Sequence, residues 1–74
     1  MESLPTNIKP LELIKALERN GFVVRKAKGS HRRLTHPDGR WTQVAVHPKP
    51  IPTGTLRKIL NQADLTLDQL KKSL

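Results

Sequence analysis

His31-Arg32-Arg33-Leu34-Thr35-His36-Pro37-Asp38-Gly39-Arg40-Trp41-Thr42-Gln43-Val44-Ala45-Val46-His47 is the stretch that decides the fold. Its centre, His36-Pro37-Asp38-Gly39-Arg40, has the x-Pro-Asp-Gly-x signature of a tight turn. Pro37 and Asp38 take the centre of a type I turn, and Gly39 takes the left-handed position as a bulge. Strands are expected on both sides, His31 to His36 and Trp41 to His47. With a three-residue loop His36 faces Arg40, so Leu34 faces Thr42 and Arg32 faces Val44. Side chains alternate faces along a strand. Leu34, Thr42, Val44 and Val46 therefore share one face, read as the core side. His31, Arg33, Thr35, Trp41, Gln43, Ala45 and His47 share the other, read as open. Arg32 and His36 fall on the core side by parity, at a rim where their polar ends reach water.

Upstream, Pro10 suits a first helical turn, where its missing N–H costs nothing. Leu11, Ile14 and Leu17 recur at helical spacing, with Leu13 reaching Leu17. Glu12, Lys15, Glu18 and Arg19 fill the other side. This predicts an amphipathic helix from about Pro10 to Asn20, stopped by Gly21 in a left-handed conformation. Phe22 to about Ala27 reads as a further strand, and Lys28-Gly29-Ser30 as the turn into His31. Downstream, three prolines between Pro48 and Pro52 make a stiff loop. Thr53 is placed to cap a helix from Gly54 to about Gln62, with Leu56, Ile59, Leu60 and Ala63 as its apolar stripe. Thr66 and Gln69 form a capping box for a last short helix that turns Leu67, Leu70 and Leu74 inward. The expected class is α+β, in the order α-β-β-β-α-α, with helices on one face of a three-stranded antiparallel sheet.

Seventy-four residues leave room for one small domain, residues 1–74. There is no Cys. That excludes a disulfide framework and a thiolate metal site and fits an intracellular setting. The longest strongly apolar run, Phe22 to Val24, is far too short to cross a membrane. The opening MESLPTNIKP has no apolar segment of a secretory signal. Phe22 and Trp41 are the two aromatic residues, which counts against a platform of several stacking rings. Trp41 is expected to pack over its cross-strand neighbour Thr35, the alternative being a stack on a base.

The formal charge is +8. It is concentrated between Arg19 and Lys58, where ten basic residues stand against one acid, Asp38. The ends of the chain are close to neutral. Segregation of this kind favours a polyanionic partner, because each neutralised phosphate releases counterions. Arg25, Lys26, Lys28, Arg32, Arg33 and His47 are the candidate phosphate-binding side chains.

Candidate catalysts are few. There is no Gly-rich phosphate loop. Ser30 and His31 are strand neighbours that point to opposite faces, which disfavours a Ser–His nucleophile pair. Parity separates His36 from His31 and His47, so no metal site and no cofactor is expected. His31 is the candidate catalytic residue: an imidazole on an open face, beside Arg33, that can accept a proton near neutral pH. RNA carries its own nucleophile, the 2′-hydroxyl. A base for that proton, cations around the phosphorane and a donor for the leaving oxygen suffice for cleavage without metal. His47 and Lys28 are both candidates for that donor. The alternative is a binding domain in which His31 only contacts phosphate.

The residues Asn20-Gly21-Phe22, Lys28-Gly29-Ser30-His31, Thr35-His36-Pro37-Asp38-Gly39-Arg40, Gly54-Thr55-Leu56-Arg57-Lys58-Ile59-Leu60 and Ala63-Asp64-Leu65-Thr66 resemble, in order and spacing, the HicA toxins of type II toxin–antitoxin pairs. The resemblance runs from about Leu11 to Leu70. It implies a double-stranded-RNA-binding-domain-like fold. It also implies a cytoplasmic, ribosome-independent mRNA endonuclease with His31 as its catalytic residue. The partners it implies are mRNA and a HicB-type antitoxin that covers the active face; the alternative is a degenerate toxin that only binds its antitoxin. Two positions depart from the family pattern. Arg32 stands where many relatives have a second His, and Asp64 where most have Gly.

Overall fold

The computed structural model describes residues 4–74; the first three residues, part of the opening stretch read as lacking a secretory signal, lie outside it. Helix α1 spans Pro10–Arg19, strands β1, β2 and β3 span Val23–Lys28, His31–Thr35 and Trp41–Ala45, and helices α2 and α3 span Thr53–Ala63 and Leu67–Ser73. The sheet is antiparallel in the order β1-β2-β3. This is the expected α+β class and a double-stranded-RNA-binding-domain-like order with one added helix.

The Pro-Asp-Gly turn sets the β2–β3 register as expected. The Gly39 N–H donates to the His36 carbonyl at 2.9 Å, and the His36 N–H donates to the Arg40 carbonyl at 2.8 Å. Gly39 has φ +99°, a left-handed value that glycine adopts without strain. Leu34 then pairs with Thr42 and Arg32 with Val44. Leu34, Thr42 and Val44 are buried under the helices, while His31, Arg33, Trp41 and Gln43 are exposed. The Thr42 hydroxyl, buried among apolar side chains, donates to Gln62 Oε1 at 2.9 Å, so its polarity is satisfied across the core.

Strand β1 departs from simple alternation. Val24 pairs with Leu34 and Lys26 with Arg33, so Arg25 is an extra residue, a β-bulge. Strict alternation from Val24 would send Lys26 and Lys28 to the helix-covered side. The bulge resets the parity: Ala27 goes opposite Arg32, while Lys26 and Lys28 go opposite Arg33 and His31 on the open face.

Helix α1 ends in a Schellman motif. The Phe22 N–H donates to the Leu17 carbonyl at 3.1 Å and the Gly21 N–H to the Glu18 carbonyl at 3.0 Å. Gly21 has φ +93°, and a Cβ there would sit 2.6 Å from His36 Nε2. The apolar stripe is rotated from the expected one: Leu13, Ile14, Ala16 and Leu17 are buried, whereas Leu11 is 59% exposed. Glu12 reaches back to the Lys9 N–H at 3.1 Å, which fixes the start of the helix. At its end Asn20 Nδ2 donates to Ser73 Oγ at 2.7 Å, tying α3 to α1.

Helix α2 begins one residue earlier than expected. Thr53 lies inside it and Pro52 is the N-cap, with no side-chain cap bond. It closes with a second Schellman pattern, in which the Leu65 N–H donates to the Leu60 carbonyl at 3.0 Å. The left-handed residue there is Asp64, φ +51°. The Thr66–Gln69 capping box is present in both directions, at 2.9 and 3.1 Å. Leu70 is buried and Leu67 partly so, but Leu74 is half exposed, because α3 ends one residue before it.

The two helix stops predict opposite outcomes. Gly21→Ala is expected to destabilise the fold by about 1–2 kcal/mol or more, from left-handed strain and the His36 clash. Asp64→Gly is expected to stabilise it by about 0.5–1 kcal/mol, since it removes a Cβ from a left-handed site and an acid from a helix C-terminus. Urea denaturation of the two variants against the parent checks both signs.

Candidate functional site

The open face of the sheet is a grid read from the register. Across its first row stand Lys28, His31 and Ala45; across the second, Lys26, Arg33 and Gln43; across the third, Val23, Thr35 and Trp41. The first two rows enclose a basin of about 790 Å³ lined by Lys26, Lys28, Gly29, Ser30, His31, Arg33 and Gln43. Among the described residues no acid lines it.

The turn between β1 and β2 brings Lys28 and His31 together. Only Gly29 and Ser30 separate the strands, and Lys28 pairs directly with His31. Gly29 has φ +58°, as the first central position of a type II′ hairpin requires. Lys28 thus belongs to β1 rather than to the turn expected for it. The ladder continues past β3 through the Val46 N–H, which donates to the Ser30 carbonyl at 2.6 Å.

His31 is held by an amide from the neighbouring strand. Gln43 Nε2 lies 2.9 Å from His31 Nδ1. With the amide nitrogen towards the ring, Gln43 donates and a neutral imidazole carries its proton on Nε2. A half-turn of the carboxamide leaves its shape unchanged and exchanges the roles: Oε1 then accepts from Nδ1–H, and Nε2 is free to act as a base. Either way the bond orients the ring and couples its tautomer to Gln43. The register placed Gln43 on the open face, but its reach to His31 is diagonal, two residues along β3 from the direct partner Ala45.

The other candidates divide. Lys26, Lys28 and Arg33 line the basin with His31. Arg25 joins the same face at its far end, where Nε donates to Thr35 Oγ1 at 3.4 Å. Arg32 does not open onto the basin. Its Nη1 donates to the carbonyls of Gly29 at 2.7 Å and His31 at 3.2 Å, so it braces the hairpin from the other side. His47 is separated from His31. Strand β3 ends at Ala45, two residues short of the expected end, and alternation does not extend to position 47. His47 instead lines a second hollow, of about 420 Å³, with Pro10, Lys49, Ile51 and Ile59. His36 packs edge-on against Phe22, with centroids 5.1 Å apart, on the core-side rim as expected. Among the described residues no three His, Asp or Glu side chains gather closely enough to hold a metal ion.

Asp38, the lone acid of the basic block, stays at the distal turn. The Arg40 N–H donates to its Oδ1 at 3.0 Å and Arg40 Nε to its Oδ2 at 2.8 Å. The backbone bond foremost, helped by the guanidinium, holds the Asp38 carboxyl below its usual value of 3.8. Arg40 Nη1 also donates to the Ala63 carbonyl at 2.7 Å, anchoring the turn to the end of α2.

Fold, basin and turn thus define a small α+β protein that presents a cationic sheet face around one histidine. The family model described as "HicA toxin of bacterial toxin-antitoxin" matches residues 11–65. Among curated proteins, none matches the chain. The chain belongs to the HicA toxin family and is the toxin component of a toxin–antitoxin system, which implies a cognate antitoxin. Among the described residues no helix is long and apolar enough to cross a membrane.

The Asp38 arrangement predicts an acid sensitivity. A lowered carboxyl contributes stability that is complete above its unfolded value and is lost as pH falls through the folded one. The parent is therefore expected to lose stability as pH drops below about 3.8. Asp38→Asn is expected to flatten that part of the profile. Thermal melts at a series of acidic pH values compare the two.

Proposed function

We propose that the protein is a metal-independent endoribonuclease that cuts mRNA in the cytoplasm, and that a HicB-type antitoxin neutralises it. The whole chain acts as one domain. The observation that carries this reading is His31 in a basin whose charged neighbours are all cations.

The chemistry needs few groups. Nε2 of His31 takes the proton of a ribose 2′-hydroxyl, and the oxygen attacks the adjacent phosphorus. The 2′-O–P bond forms, the P–O5′ bond breaks, and the products are a 2′,3′-cyclic phosphate and a 5′-hydroxyl. Free Nε2 requires that Gln43 accept from Nδ1–H through Oε1, so Gln43 acts as a positioning residue. Lys26 and Arg33 offset the negative charge that builds on the phosphorane. Lys28 is the better candidate for the acid that protonates the leaving oxygen. Its support is its direct pairing with His31, whereas His47 lines the other hollow. Arg25 extends the phosphate path, and Arg32 keeps the turn in shape.

An antitoxin that covers the basin has a physical rationale. The basin is basic and, among the described residues, lined by no acid, so an acidic partner surface is attracted to it and excludes RNA. A chain this small also gains stability from any partner that binds only its folded form.

His31→Ala is expected to lower cleavage of labelled mRNA by about 10²–10⁴-fold while RNA affinity and folding persist. The parent is expected to cut in the presence of EDTA. An intact transcript after prolonged incubation with parent protein would reduce the reading to RNA binding. Gln43→Leu is expected to lower kcat with little change in KM, and single-turnover kinetics separate the two.

A further inference from the structure

Trp41 is the chain's one indole, and it lies on the cationic face rather than in the core. It is 43% exposed. A ring of this size left half in water forgoes much of the burial that aromatics normally supply. Thr35 pairs with it across the strands, but the group over the ring is Arg33, whose guanidinium carbon is 4.8 Å from the ring centroid. Arg33 also lines the basin that holds His31. One side chain therefore links the basin to the indole.

We propose that Arg33 and Trp41 form a nucleobase-stacking subsite, in which an unpaired base of single-stranded RNA stacks on the exposed indole while the backbone crosses the basin. The inference rests on the ribonuclease reading and deepens it. Every base has a π-face, so such a site takes single-stranded RNA without a strict sequence code, and the guanidinium adds a cation–π contribution. The register sets the spacing. Trp41 is four residues along β3 from Ala45, which pairs with His31, a distance of about 13–14 Å along the strands. That exceeds one stacked nucleotide step of about 3.4 Å. The stacked base is therefore a few nucleotides from the scissile bond, and Trp41 sets register rather than performing chemistry. An apolar protein partner is the poorer fit, because the Arg33 guanidinium against the ring and Arg25 at the adjoining Thr35 make the surroundings cationic.

Fluorescence tests this directly. With one Trp and no Tyr in the chain, indole emission reports Trp41 alone. The full-length His31→Ala protein, which leaves RNA intact, is titrated with a short single-stranded RNA, the same oligomer bearing abasic sites, and heparin. The RNA is expected to quench emission, while the abasic oligomer and heparin bind with little change. Trp41→Leu is expected to bind the RNA roughly 5- to 100-fold more weakly, with heparin affinity unchanged. Trp41→Phe is expected to restore most of the loss, which separates stacking from a folding defect. If RNA binds but quenches no more than heparin, or Trp41→Leu binds it as tightly as Trp41, the subsite is overturned and the ribonuclease reading stands. If no RNA binds at all, both fall.

Discussion

A strand places alternate side chains on opposite faces, and one inserted residue reverses every assignment beyond it. Arg25 is that insertion. Through it Lys26 and Lys28 leave the helix-covered side and join His31 and Arg33. Ala27 takes the other face, opposite Arg32, and stays exposed there. The bulge thus assembles the basin. The composition of the candidate site follows from one local irregularity.

The remaining geometry holds that face in position. The Pro-Asp-Gly turn registers β2 against β3, and Arg40 ties it to the end of α2. The Gly29–Ser30 hairpin sets Lys28 beside His31, and Arg32 braces it through two carbonyls. Gln43 orients the imidazole. The proposed catalyst therefore stands on paired backbone and not on a free loop, and this limits how far its ring can wander relative to a bound phosphate. Asp38 is bonded to Arg40 at the far turn, so the one acid of the basic block does not neutralise the basin.

Much of this was legible in short-range chemistry. The turn signature determined the β2–β3 register, and with it the faces of Leu34, Thr42, Val44, His31 and Arg33. Gly21 marked the stop of α1, and the Thr66–Gln69 pair marked the start of α3. Errors gathered where local patterns were equivocal. Leu11 and Leu13 both fit helical spacing, and the contacts of α1 with the sheet and α3 decided that Leu13 was buried. Thr53 had the chemistry of a cap, but the stiff Pro-rich loop entered α2 one residue earlier. His47 lay on the open face only if β3 ran to its expected end, and the prolines that follow draw the chain away.

Composition, charge segregation and turn residues belong to the chain itself, because each acts over a few neighbours or by simple sum. They determined a basic α+β protein with an antiparallel sheet and His31 on its open side. Which cations stand beside that histidine was a tertiary matter. The Arg25 bulge, the diagonal reach of Gln43 and the stack of Arg33 on Trp41 arise only once the strands are paired, since parity across a sheet is a property of the pairing and not of any strand alone.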